Sequence, residues 1–508
     1  MILAGLSCTK NYLDKKPLDT AAVSTLFSSA DGLKLAVNGI YDVFQSNIWG
    51  GSLYYLNPHF DAISEDATFC CAWEGSYSVL ADGNLNAASG GIVDYTWKFG
   101  YQGIGRANAV LENIDNPKIV LADSIKIKFK AETRFLRGLI YFNLVTSYGG
   151  VPLILKPVEI SNAKLARNTK DDVIKAILED LDFSIANLST APFNNENGRP
   201  TKQAALGIET RLYLYQGRWA EAAATAQKII DLEATGAVGL SNNYVSLFDG
   251  TNKTDKEVLF AIQSKGASAS SPDVGEGNIL STCYGLKATE FGGGWASVSY
   301  EEPMFDAFYM KDGKPVTTSP LYDATKPYEN RDQRFYWSFF VPGHASWNSK
   351  PYTPDNYAGA YAELPINTRK WVASTDPNYG LAGDANFIVV RYADVLLMYA
   401  EAKNETTGPD ASVYSALNKI RQRAAMPEVT PGLSAADMRE VIRHERKVEL
   451  SQEGFRYFDL VRWGIAKQKI NSNSRQKRNW HEYNSLLPIP QSEMNANPNL
   501  VQNPGYPQ

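Results

Sequence analysis

The sequence is poor in the residues that build metal centres and disulfide frameworks, with 4 cysteines and 4 histidines among 508 residues. It contains no Cys-x-x-Cys motif and no Cys/His spacing that would indicate structural zinc. An excess of either charge is also lacking, because 50 Lys and Arg residues face 55 Asp and Glu residues. Without a basic stripe to bind phosphates, we expect no nucleic-acid partner. Nothing in the sequence indicates a cofactor or a metal.

Long apolar runs are also missing, since no stretch approaches the roughly 18 residues that a membrane-spanning helix needs. The short run MILAGLSC, residues 1–8, ends in small residues and Cys8 and is followed by polar sequence. This pattern is typical of the end of a truncated lipoprotein signal, although the usual charged start is absent. We expect Cys8 to be lipidated and to tether the chain to a membrane. The alternative for Cys8 is a buried, unmodified thiol.

Helical periodicity is the feature that the sequence has in abundance. Residues 169–188 carry apolar side chains at spacings of three and four, which is typical of a helix with one buried face. Thr169 and Asp172 predict a capping box at its start. A similar pattern begins at residue 131 and is ended by Gly149, Gly150 and a following proline.

Several of these helices are predicted to form pairs. Residues 201–232 read as two helices joined at Gln216-Gly217, and their small residues, such as Gly207, resemble those of a tetratricopeptide unit. Residues 391–402 and 412–427 predict a second pair, and the helices after Asp123 and after Lys170 a third. We therefore predict an all-α fold, a tetratricopeptide-like helical repeat scaffold.

A segment of about residues 235–385 interrupts the helical pattern. It is rich in Gly, Ser, Pro and aromatic residues, and a loop-rich insertion of this length in a compact fold is usually functional or disordered. Its aromatic content argues against disorder. We expect one domain over residues 9–508, with this insertion forming a loop-rich, irregular ligand-binding face.

The stretch RHERKVELSQEGFRYFDLVRWG, residues 443–464, contains an HE pair that could suggest a metalloprotease. A zinc-binding HExxH motif needs a second histidine at the position of Val448, so the metalloprotease hypothesis is excluded. Glu445 and Glu449 share a helix face, but basic residues are interleaved with them. Opposite charges at these spacings predict ion pairs within the helix rather than a catalytic pair, and we assign the stretch to the scaffold.

The same stretch closely resembles the signature of the SusD/RagB family of Bacteroidetes outer-membrane lipoproteins. Further blocks resemble that family in the family's order: residues 7–17, 131–153, 391–402, 417–427 and 485–506. The resemblance implies an all-α fold in which four tetratricopeptide-like helix pairs form a scaffold beside a more irregular ligand-binding face. It also implies a protein that is not an enzyme.

By resemblance, the chain would be a lipid-anchored protein of the outer membrane, exposed on the cell surface. It would capture an oligosaccharide and deliver it to a SusC-like TonB-dependent transporter, with the helix pairs packing on the transporter. Three alternatives stay open: capture of peptides, as in the RagB branch; a helical glycosidase, which would need two separated acids facing one cleft; and a generic repeat adaptor. Cys8 and the aromatic insertion speak against the adaptor.

A glycan site needs flat aromatic rings for the sugar faces and short polar side chains for the hydroxyls. Residues 64–84 offer such a set, and the insertion offers another in which one tryptophan follows three glycines. Trp73 and Trp295 are the strongest candidates. The full predicted set is Trp73, Tyr77, Asp66, Asn84, Tyr284, Trp295, Tyr300 and Trp347. The alternative is that several of these aromatics pack inward.

Overall fold

The chain is seen in a computed structural model that describes residues 26–45, 51–54, 56–70, 75–266, 277–286, 294–347, 349–353, 366–372 and 383–507. Cys8 and Trp73 lie outside these residues.

Helices form the scaffold, and none of those within the described ranges is long and apolar enough to cross a membrane. In chain order the α-helices are α1 (Ala30–Tyr41), α2 (Gly75–Ala81), α3 (Ile92–Asn113), α4 (Asp123–Tyr148), α5 (Lys170–Asn187), α6 (Lys202–Tyr215), α7 (Trp219–Ile230), α8 (Leu280–Tyr284), α9 (Glu302–Phe305), α10 (Gln333–Ser338), α11 (Tyr392–Thr407), α12 (Ala411–Arg423), α13 (Ala435–Glu449), α14 (Arg456–Arg462), α15 (Ala466–Asn471) and α16 (Gln491–Ala496).

The strands are short and pair into antiparallel two-stranded ribbons. They are β1 (Ala67–Phe69), β2 (Val258–Ile262), β3 (Val298–Tyr300), β4 (Phe339–Phe340), β5 (Ser346–Trp347), β6 (Lys350–Pro351), β7 (Asn367–Thr368) and β8 (Phe387–Arg391). The pairs are β1–β3, β2–β8, β4–β7 and β5–β6. The first two pairs join the region between residues 235 and 385 to the rest of the chain.

Each scaffold helix packs on its neighbours in sequence: α3 on α4, α4 on α5, α5 on α6, α6 on α7, α7 on α11, and α11 on both α12 and α13. The predicted helix pairs and the helical repeat scaffold are thus confirmed. The apolar face of α5 is buried, with Val173, Ile177 and Leu181 fully inaccessible. Thr169 and Asp172 form the predicted capping box, and α4 ends at Gly149, whose φ of 73° suits glycine.

The small residue Gly207 has a different partner from the one expected. We predicted that small residues would let α6 and α7 approach each other closely. A Cβ atom at Gly207 would instead lie 2.9 Å from Cγ2 of Val390 in β8. The glycine therefore makes room for the β2–β8 ribbon to pack against α6, which ties the ribbon to the helical scaffold.

The signature helix α13 buries the apolar side chains Met438, Ile442 and Val448, and its two buried glutamates make charged contacts as well. Glu449 accepts hydrogen bonds from Arg391 at 2.7 Å, from Arg334 at 3.1 Å and from Arg423. Glu445 pairs with Arg334 at 2.5 Å and with Arg421 at 2.9 Å. The prediction of ion pairs within the helix is therefore wrong for these two glutamates, because their partners come from α10, α12 and the end of β8.

The charges around Glu449 balance. Five carboxylates and five cations are linked by direct ion pairs: Glu257, Asp332, Glu445, Glu449 and Glu453 with Arg334, Lys370, Arg391, Arg421 and Arg423. We call these ten residues the buried ion network. Burial alone would raise the pKa of Glu449, but the guanidinium groups of Arg423, Arg391 and Arg334 outweigh burial and hold the pKa well below its usual range.

The turn after α13 joins the signature to residues 57–62, which form a 3-10 helix. The helix ends at Glu449, and Gly454 lies in the turn that follows it. A Cβ atom at Gly454, whose φ is 86°, would lie 2.5 Å from Nδ2 of Asn57, so only glycine permits this approach. The Arg456 backbone N–H donates to the buried Asp61 carboxylate at 2.7 Å. Burial raises the pKa of Asp61 to about 7, although that bond opposes the shift.

We predict that Glu449→Gln lowers the free energy of unfolding by about 3–5 kcal/mol, because it leaves buried guanidinium groups short of a counter-charge. The measurement is urea denaturation at pH 7. Glu440→Gln is the matched control on the same helix: its side chain is 70% exposed and pairs only with Arg443, so it should change stability by at most about 0.5 kcal/mol. Equal effects of the two substitutions would contradict a structural role for the network.

We predict a pH-dependent effect of Asp61→Asn. The pKa of Asp61 is raised from 3.8 to about 7 in the folded chain, so its protonated form stabilises the fold at low pH, and that contribution is lost as the pH rises through about 7. Asparagine does not titrate, so the free energy of unfolding of the variant does not fall in this way. Relative to the unmodified protein it should therefore gain about 2–3 kcal/mol between pH 5 and pH 8.

Urea midpoints of both proteins at pH 5 and pH 8 check this expectation. Asp42→Asn is the control, since that carboxylate is 69% exposed. A stability difference between Asp61→Asn and the unmodified protein that is the same at both pH values would contradict the burial argument.

Candidate functional site

The β1–β3 ribbon brings together the two regions that the sequence singled out. Ala67 pairs with Tyr300, and Phe69 with Val298. Beyond the ribbon, the Cys70 N–H donates to the Ser297 carbonyl at 2.9 Å. The chain that continues from Cys70 towards Trp73 therefore starts beside the chain that continues from Trp295 into β3.

Trp295 is half-buried and held by its backbone. Its N–H donates to the Thr282 carbonyl at 2.8 Å, and the Ser297 N–H donates to the Cys283 carbonyl at 2.7 Å, so residues 294–297 run along α8. A Cβ atom at Gly294 would lie 2.4 Å from the carbonyl carbon of Gly285. The glycine before Trp295 thus serves a close backbone approach, whereas we had expected it to expose the tryptophan.

Tyr77 and Tyr284 meet at His59. The Tyr284 hydroxyl lies 2.9 Å from His59 Nδ1, and the centroid of the His59 ring is 5.4 Å from that of Tyr284 and 5.3 Å from that of Tyr77. Only 1% of Tyr284 and 3% of Tyr77 is exposed. Contrary to expectation, both rings pack in the core, because a histidine buried beneath the ribbon needs partners for its ring and nitrogen.

Tyr300 and Asp66 face the scaffold as well. Tyr300 is 3% exposed, and its ring packs edge-on against Phe339 with centroids 5.5 Å apart. Asp66, predicted to bind sugar hydroxyls, pairs instead with Lys447 at 2.5 Å and Arg456 at 3.3 Å. Both side chains are buried against the scaffold, and contact of either residue with a ligand stays a prediction.

Asp66 shares those cations with Glu65. Burial raises the pKa of Asp66 even though Lys447 opposes the shift. Burial also disfavours ionised Glu65, but Arg456 and Lys447 outweigh it and lower its pKa to about 2. The group of four residues connects the start of β1 to α13 and α14.

The remaining predicted residues lie apart from this group or outside the described ranges. Asn84 is exposed in the turn after α2. Trp347 lies in β5 opposite Lys350, and its side chain is not described. Ligand contacts by Asn84, Trp347, Trp73 and Trp295 stay predictions.

No sequence pattern indicated the residues that support the outer edge of β1. Gln476 Nε2 donates to the Phe69 carbonyl at 3.0 Å, Asn473 Nδ2 to that of Ala67 at 3.0 Å, and Arg478 to that of Ala67 at 2.9 Å. These side chains take the place of a third strand. Burial lowers the pKa of Arg478 to about 10. Residues 467–478 are rich in Lys and Arg, a composition typical of a solvated loop, so the sequence does not indicate the buried role of Arg478.

The carboxylates nearest the ribbon are engaged. Glu301 accepts from the Thr68 hydroxyl at 3.0 Å and pairs with Arg475, and Asp66 is paired as described above. Over the described residues, no group of three or more His, Cys, Asp or Glu side chains could hold a metal ion.

Two family models match the chain. The one described as the SusD family matches residues 256–506, and the one described as starch-binding, associating with the outer membrane, matches residues 11–214. A SusD-like protein of Formosa agariphila is 27% identical, over 100% of this chain and 98% of its own.

Solved structures agree with the family models. A SusD-like carbohydrate binding protein from Bacteroides fragilis aligns with a TM-score of 0.82 and 26% identity, covering 94% of this chain and 100% of its own. A laminarin binding SusD-like protein aligns with a TM-score of 0.73 and 25% identity, over 94% of this chain and 99% of its own. Because both parts of the sequence match models of one family and the fold agrees over nearly the whole chain, the chain belongs to the SusD-like family.

Proposed function

We propose that this protein binds an oligosaccharide on its loop-rich face, at the end of the β1–β3 ribbon, and delivers it to a SusC-like TonB-dependent transporter. The description of one matching family model, starch-binding and associating with the outer membrane, supports this proposal. So do the carbohydrate binding and laminarin binding proteins among the similar structures.

The observation that carries the proposal is the position of Trp295. The tryptophan is half-buried, and its side chain packs against the hydrophobic core. It stands beside the point from which the chain leaves β1 towards Trp73. A rigid indole binds the apolar face of a sugar ring at little entropic cost, because it has few rotamers to lose.

The acids around the ribbon support a binding role without catalysis. A glycosidase needs two carboxylates on opposite sides of the scissile bond, one of them free to donate a proton. Here Glu301 pairs with Arg475, and Asp66 pairs with Lys447 and Arg456. Both carboxylates are thereby committed to structural ion pairs.

The proposed location is the cell surface, where a lipid on Cys8 anchors the protein to the outer membrane. The apolar residues before Cys8 and the polar residues after it support this anchor. A tethered binding protein raises the local concentration of its ligand next to a transporter in the same membrane.

We predict that Trp295→Ala and Trp73→Ala each weaken glycan binding at least ten-fold, about 1.4 kcal/mol, because each removes a stacking surface. The measurement is the retardation of the unlipidated protein in native gels that contain laminarin, starch or other plant, microbial and host polysaccharides. Trp219→Ala is the matched control: Trp219 is also half-buried but begins α7, so retardation should not change.

The outcomes separate the alternatives. Retardation that neither Trp295→Ala nor Trp73→Ala reduces would keep glycan binding and refute this site. If no polysaccharide retards the folded protein, glycan binding is refuted, and peptide pools become the next ligand to test. Release of reducing ends from a bound polysaccharide would refute the non-catalytic role and point to a glycosidase.

We predict that Cys8→Ala prevents lipidation of the protein when it is expressed with its own leader. Metabolic labelling with an alkyne fatty acid should mark the unmodified protein and not the variant, and the variant should leave the outer-membrane fraction. Cys283→Ala is the control, because that cysteine is buried in α8. Equal labelling of both variants would place the anchor elsewhere.

A further inference from the structure

A second surface lies on the helical scaffold, away from the ribbon. An open cleft of about 490 Å³ lies on the scaffold. It is lined by the carboxyl-terminal part of α3, by α4 and by Phe183 of α5, and Leu155 and Lys156 close it on one side. None of the residues that line it belongs to the loop-rich region. The cleft is therefore a separate candidate for binding.

Arg137 forms the floor of the cleft, and its hydrogen-bond donors are already engaged within the protein. Arg137 donates twice to the Asp180 carboxylate at 2.8 Å, to the Asn108 side chain at 2.7 Å and to the Leu155 carbonyl at 3.1 Å. A guanidinium with these partners fixes the spacing of the helices but offers little to a ligand. Any ligand would be held by the walls.

The wall on α4 is basic. Lys126, Lys130 and Arg134 follow one another at intervals of four residues, so they form a stripe along the helix. Arg134 is positioned over the Phe183 ring at 4.3 Å, and Lys130 pairs with Asp115 at 2.7 Å. Arg137 is neutralised by Asp180 and Lys130 by Asp115, and Arg134 lies 3.8 Å from the Asp180 carboxylate. The basic side chains that remain on the walls are Lys126, Arg134 and, on the opposite side, Lys156, against Glu112 and Asp123, although the whole chain carries a net charge of −5.

Exposed aliphatic side chains line the cleft and occur close to its residues along the chain. Ile127 and Leu155 line the cleft and are each 38% exposed. Val120, 86% exposed, precedes α4, and Val158, 39% exposed, follows Leu155 along the chain. These are four of the seven large exposed apolar residues in the described parts of the chain. Such a cluster beside charged groups marks an interaction surface.

We propose that this cleft docks an acidic protein segment that carries aliphatic side chains. The aliphatic side chains would pack on Ile127 and Leu155, and the carboxylates would pair with Lys126, Lys156 and Arg134. A concave surface favours a peptide segment over a lipid bilayer, which binds protruding groups. The proposal deepens the partner part of the proposed function and depends on it only for the identity of the protein that supplies the segment.

The test uses an acetylated, fluorescently labelled decapeptide that alternates aspartate with leucine, titrated with the folded protein and followed by anisotropy. We expect saturable binding that weakens as NaCl is raised from 50 to 300 mM, because exposed charge pairs are screened. The double substitution Lys126→Glu with Lys156→Glu should weaken binding at least ten-fold, and so should Leu155→Asp. Lys164→Glu with Lys467→Glu is the matched control and should have no effect, since both are exposed and lie outside the cleft.

Circular dichroism and the thermal midpoint verify that each variant is folded. Three results would overturn the proposal: no binding of the aspartate–leucine peptide, equal binding of the lysine–leucine counterpart, or binding that the cleft substitutions leave unchanged. Vesicles of phosphatidylglycerol and phosphatidylcholine form a separate arm, and binding to them without peptide binding would assign the surface to lipid. Glycan retardation of the same variants stays at the unmodified level if the two sites are independent, so failure here is distinguishable from failure of the glycan proposal.

Discussion

The buried ion network around Glu449 is the interaction on which the rest of the structure depends. Its ten charged groups come from the helical scaffold, from β8 and from the irregular region around α10. Five of them are carboxylates and five are cations, so their charges balance. Burying so many charges costs free energy unless every one is paired, so the network forms only when all of these segments are in place. It links the formation of the irregular region to that of the scaffold. A core of apolar contacts alone would specify their relative positions less strictly.

The network continues towards the proposed glycan site through the two helices of the signature. Lys447 on α13 and Arg456 on α14 hold Glu65 and Asp66 just before β1, and β1 in turn pairs with β3. On its other edge, β1 is supported by the side chains of residues 473–478. The position of Trp295 is thus determined by contacts that run from the scaffold to the ribbon. Such support raises the affinity of a binding surface made of loops. The loops are already ordered before the ligand arrives, so less conformational entropy is lost on binding.

The two proposed surfaces use different physical chemistry. At the ribbon, nearby carboxylates are neutralised by ion pairs, and the proposed ligand contact is a half-buried indole, which suits a neutral, hydroxyl-rich ligand. At the cleft on α3, α4 and α5, exposed lysines and aliphatic side chains remain for a charged protein segment. The first surface depends on segments that are far apart in sequence, whereas the second is built from three consecutive helices. Substitutions in one should therefore add independently to substitutions in the other.

The sequence by itself determined the helices, their caps and their pairing, because these depend on local periodicity and on residues within one turn, as Thr169 and Asp172 illustrate. It also determined that Glu445 and Glu449 belong to the scaffold, and its motifs indicated the family. Only the tertiary structure decided which charges meet and which aromatic rings are buried. Asp66 finds Lys447 across more than 380 residues of sequence, and Tyr77 and Tyr284 meet at His59. Aromatic and charged side chains suit both a ligand site and a satisfied core, so composition cannot separate the two roles. Long-range packing alone establishes whether such a side chain faces solvent or another part of the chain.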